Sequence, residues 1–65
     1  MSYTTPLAYL ESKLEEQRRY HKEFLAAGKA DTYEEYRRMV GVLQGLDFSI
    51  ELIKDLANRL ERDDE

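Results

Sequence analysis

Cysteine is absent from this 65-residue chain, which removes disulfides and thiolate metal sites together and fits a reducing compartment. A single histidine, His21, excludes an imidazole-rich metal site within one chain. No apolar run approaches the roughly 18 residues that a membrane span needs. No basic-then-apolar signal peptide opens the sequence, so the expectation is a soluble protein that no signal peptide exports. Nowhere do apolar and polar residues alternate strictly, which leaves no strand signal. Proline occurs once and glycine three times. An all-α chain is what these absences leave.

Size sets a second bound. A chain of this length forms one domain at most, and folding buries only about 60 % of the surface its unfolded form exposes. Small folds compensate with disulfides, a metal or oligomerisation, and only the last remains open here. The net charge of −4 is unevenly spread. Residues 17–40 hold six basic and four acidic side chains, whereas the remainder holds four basic and ten acidic ones. A hairpin therefore has one mildly basic end and one acidic end. DNA binding is not expected, because it needs a clearer basic footprint.

The positive features begin at Thr5-Pro6, which reads as an N-cap followed by proline at the first helical position. The lead before it has Tyr3 as its only anchor. Leu7, Leu10, Leu14, Gln17, His21 and Phe24 then recur at spacings of three and four, with Leu25 beside them, as on one face of an amphipathic helix. Gly28 stands where a left-handed C-terminal cap belongs. The first helix is expected over about 6–27, roughly 33 Å long at 1.5 Å per residue. A connection of a few residues requires the second helix to fold back antiparallel.

The second helix opens with Thr32 and Glu35 in the spacing of a reciprocal capping box, Asp31 being a rival cap. It is expected over about 32–61, roughly 45 Å by the same rise, with 62–65 as a frayed, charged tail. Met39, Leu43, Leu46, Ile50, Ile53, Ala57 and Leu60 form its expected stripe. Val42 and Leu56 extend that stripe, while Gly41, Gly45, Phe48 and Leu52 form a second line roughly 120–150° away on a 100° wheel. The apolar arc exceeds the 100° or so that a surface helix needs. A two-helix hairpin covers one stripe only. The line Gly41, Gly45, Phe48, Leu52 and Leu56 is therefore the candidate oligomer interface, leading to a helical bundle. The competing reading is that the glycines relieve crowding against the first helix.

Chemistry finds little support. Gln17 and His21 interrupt the first helix's apolar stripe and read as a polar core layer that fixes register, or else as a histidine acid or base at an oligomer centre. No nucleophile motif surrounds Ser2, Ser12 or Ser49. Bundle metal sites use Glu-x-x-His, but Arg18 stands three residues before His21. Neither metal, cofactor nor enzymatic activity is expected. At the turn end Arg18, Arg19, Lys22, Arg37 and Arg38 gather with Tyr20, Tyr33 and Tyr36. Such a set either forms a solvated face with Glu15–Arg19 and Glu34–Arg38 pairs or holds a nucleotide or an acidic partner.

The segment Tyr36-Arg37-Arg38-Met39-Val40-Gly41-Val42-Leu43-Gln44-Gly45-Leu46-Asp47, continuing to Ile50, Ile53 and Leu56, resembles short helical proteins of tailed bacteriophages. Those proteins carry a Tyr-x₄-Gly-x₃-Gly-Leu segment before an amphipathic helix and are encoded near virion-assembly genes. The similarity covers mainly residues 33–60. It implies a phage structural or assembly component that self-associates and meets another phage or host protein, in a virion or in the host cytoplasm. An alternative is an anti-defence or regulatory binder that sequesters a nucleotide signal or blocks a host protein.

Overall fold

A computed structural model of the chain describes residues 4–63. Two helices and no strand occur among them: α1 spans Thr4–Ala26 and α2 spans Tyr33–Asp63. Both are longer than the sequence signals suggest. Helix α1 starts before Thr5, so Thr5 is not its cap and Pro6 is its third residue. Proline fits there because the first four helical N–H groups have no intrahelical partner to lose. At the other end α2 takes in Arg62 and Asp63, in place of a frayed tail from residue 62. Arg62 in that last turn sits favourably against the helix dipole. Tyr3 and the tail residues Asp64 and Glu65 lie outside the described residues.

The turn is built from local signals. Gly28 has φ 70°, the left-handed conformation that glycine adopts without steric cost. Its N–H donates to the Leu25 carbonyl at 3.0 Å, and the Lys29 N–H donates to the Phe24 carbonyl at 3.3 Å. These are the paired bonds of a Schellman cap, which satisfies carbonyls that the helix end would otherwise leave open. On the far side Thr32 Oγ1 accepts from the Glu35 N–H at 3.0 Å. Glu35 Oε1 accepts from the Asp31 N–H at 2.8 Å. The reciprocal bond of the box thus reaches one residue further back than the cap itself, and Asp31 serves as a donor, not as a rival cap.

The helices pack against each other as a hairpin rod 50 × 14 × 12 Å. The inward side of α1 runs Leu7, Glu11, Leu14, Arg18, His21 and Leu25, all half-buried. Those positions repeat at four and three, as do Met39, Leu43, Leu46, Ile50, Ile53, Ala57 and Leu60 on α2, the spacing of coiled-coil seams. Relative to the sequence expectation α1 is rotated, so Leu10 and Gln17 are exposed. Charged side chains flank the seam, and Arg18 Nε reaches Asp47 Oδ1 across it at 2.6 Å. Ile50, at 5 % exposure, is the single buried side chain among the described residues.

Candidate functional site

The second apolar line of α2 stands open to solvent. Phe48 is 66 % exposed, Leu52 54 % and Leu56 45 %. Gly41 and Gly45 continue the line, and a β-carbon built at either meets no heavy atom within 4 Å. The glycines therefore do not relieve crowding against α1; they face open space. Each costs about 1 kcal/mol of helix stability relative to alanine, a cost that contact within the hairpin does not offset. Beside Phe48, the Ser49 hydroxyl donates to the Gly45 carbonyl at 2.9 Å. The hydroxyl is thereby folded onto its own helix, a back-bond common to mid-helix serines.

Gln17 and His21 do not form a buried layer in the single chain. Gln17 is exposed, and no polar side chain among the described residues is buried. The half-buried His21 donates from Nδ1 to the Gln17 carbonyl at 2.8 Å, which leaves Nε2 as the acceptor of the neutral ring. Its ring meets the edge of Tyr20, with centroids 5.3 Å apart at 87°. The geometry holds the imidazole on its own helix.

The turn-end cluster divides. Arg18, Arg19 and Lys22 line a shallow hollow along α1 together with Glu15 and Glu23. Arg18 also lies 3.6 Å from Glu15, so this patch is already partly neutralised. On α2, Tyr33, Tyr36 and Arg37 line a separate hollow that runs on to Val40, Gly41 and Gln44. The Tyr33 and Tyr36 rings stack, with centroids 6.4 Å apart at 18°. Arg38 turns to Glu35 at 3.9 Å, and Tyr20 lines a third hollow with Phe24 and Lys29. The expected Glu15–Arg19 and Glu34–Arg38 pairs are replaced by Glu15–Arg18 and Glu35–Arg38, at a separation of three.

Neither family models, curated protein sequences nor solved structures match this chain.

Among the described residues, no group of three or more His, Cys, Asp or Glu side chains is placed to hold a metal ion. No helix there is long and apolar enough to cross a membrane. Two side chains stand where the sequence pattern does not put them. Leu10, assigned to the core, is exposed. Asp47, which lies on neither apolar line of α2, pairs with Arg18 across the hairpin. The opposite charges of Arg18 and Asp47 at one level of a folded-back pair were the available signal.

Proposed function

We propose that this chain is a small contact protein, an antiparallel helical hairpin that self-associates through Gly41, Gly45, Phe48, Leu52 and Leu56 and acts as a phage structural or assembly component. One observation carries the reading: among the described residues Ile50 alone is buried, while a run of large apolar side chains stands open along α2. A hairpin with so little core is marginal by itself. Covering the open face supplies the missing burial, at about 25 cal/mol per Å² of apolar surface removed from water. The short connection between Ala26 and Tyr33 supports the antiparallel order of the helices, and the Arg18–Asp47 contact joins their middles. The likeness of residues 33–60 to phage helical proteins supports the biological setting, a virion or the host cytoplasm, with a further phage or host protein as partner. The function is binding, not catalysis, and uses no cofactor.

Sedimentation of the intact chain and of Phe48→Glu tests this reading. The expected result is an assembly that the substitution dissolves. A stable, folded monomer at micromolar concentration, or an assembly indifferent to Phe48→Glu, would overturn it.

A second reading is favoured by the stacked Tyr33–Tyr36 pair with Arg37 in the same hollow. Stacked tyrosines beside a guanidinium suit a nucleotide, and the chain then sequesters a nucleotide signal or blocks a host protein. Thermal shift with a panel of nucleotides discriminates: stabilisation lost in Arg37→Ala supports it, and no stabilisation by any of them removes it.

A further inference from the structure

Resting on the self-association reading, we propose the geometry of the dimer: a second copy docks its own α2 on the exposed face of α2, in the opposite direction, about a two-fold axis at Phe48–Ser49. Two independent features of the face point to this occupant and this direction.

The first is size. The face is small at one end, with Gly41 and Gly45 in open space, and large at the other, with exposed Leu52 and Leu56. Reversing one helix about the midpoint between residues 48 and 49 places Gly41 level with Leu56 of the second copy and Gly45 level with Leu52. Each leucine then fills a glycine hollow, and the symmetry repeats the fit on the other side, as a two-fold interface requires. Phe48 meets its own counterpart beside the axis. A parallel pair sets glycine against glycine and leucine against leucine. Straight helices at one separation, about 8–10 Å, then leave a void at one end and a collision at the other.

The second feature is charge. Residues 17–40, which surround the turn, are net basic, while the rest of the chain is strongly acidic. Opposite directions bring the basic end of each hairpin beside the acidic part of the other. A parallel pair brings like ends together, and like-charge juxtaposition is unfavourable at close range. In the proposed dimer the two α2 helices form the central pair and the two α1 helices flank them.

The absence of cysteine makes a site-specific test direct. Single nitroxide labels are placed at Arg38→Cys and, separately, at Asn58→Cys, both exposed positions, with helicity measured for each labelled chain. Pulsed dipolar spectroscopy should give interlabel distances of about 30 Å at both sites, from ten residues either side of the axis at 1.5 Å each. Distances near the interhelical separation of about 10 Å at both sites overturn the direction and leave self-association standing. One long and one short distance overturn the two-fold position. No dipolar coupling from a folded chain that sediments as a monomer overturns the self-association reading itself. Coupling that arises only when an unrelated protein is added assigns the face to a different partner and overturns the dimer.

Discussion

Arg18 Nε lies 2.6 Å from Asp47 Oδ1, joining the middle of α1 to the middle of α2. Among the described residues it is the single ion pair between the helices; the others link residues three or four apart within one helix. Both side chains are more than a third exposed, so solvent screens the attraction. A double-mutant cycle with Arg18→Ala and Asp47→Ala should give a coupling of about 0.2–1 kcal/mol, falling at high salt. A coupling of zero would remove the pair from the account of helix register.

Ile50 and Phe48 should separate folding from association. Ile50 is buried against α1, and Ile50→Ala should cost about 2–5 kcal/mol, enough to unfold so small a chain. Phe48 points away from that seam. Phe48→Ala should leave the hairpin's own contacts unchanged and reduce only the concentration-dependent part of its stability. Urea melts at two protein concentrations read both effects.

The glycines predict effects of opposite sign. Gly28→Ala forces a side chain into φ 70° and should destabilise by about 1–2 kcal/mol. Gly41→Ala meets no neighbour within the hairpin, so under monomeric conditions it should stabilise by about 1 kcal/mol. Thermal melts at high dilution compare the two. A loss from Gly41→Ala under those conditions would place an unrecognised contact at that position.

The cap of α2 gives a further test. Thr32→Ala removes the acceptor for the Glu35 N–H and should cost about 1 kcal/mol. Glu35→Gln keeps an oxygen for the Asp31 N–H and should cost less than Glu35→Ala. Helicity and melting midpoints of the three variants check the order.

Features confined to one turn of chain were readable from residue type. Gly28 ends α1 and Thr32 with Glu35 opens α2, because caps depend on neighbours within a few residues. The seam of α2 followed from its spacing. The rotation of α1 did not, since Leu10 and Leu14 offer an apolar face as good as Leu7, Leu14 and Leu25; the half-burial of Glu11 and Arg18, against the exposure of Leu10 and Gln17, decides between them. The turn-end cluster was readable only as a composition. Each arginine could reach several carboxylates, and rotamer geometry sends Arg18 to Asp47 and Arg38 to Glu35. The exposed line of α2 was legible because Gly41, Gly45, Phe48 and Leu52 had no place on the other seam.

In the proposed assembly, a second chain covers the open face of α2 and supplies the burial the hairpin lacks. Sedimentation equilibrium combined with far-ultraviolet circular dichroism over a dilution series tests it most directly. Mass and helicity should fall together as the chain is diluted through its dissociation range. A mass of one chain at every concentration, with full helicity retained on dilution, would contradict it.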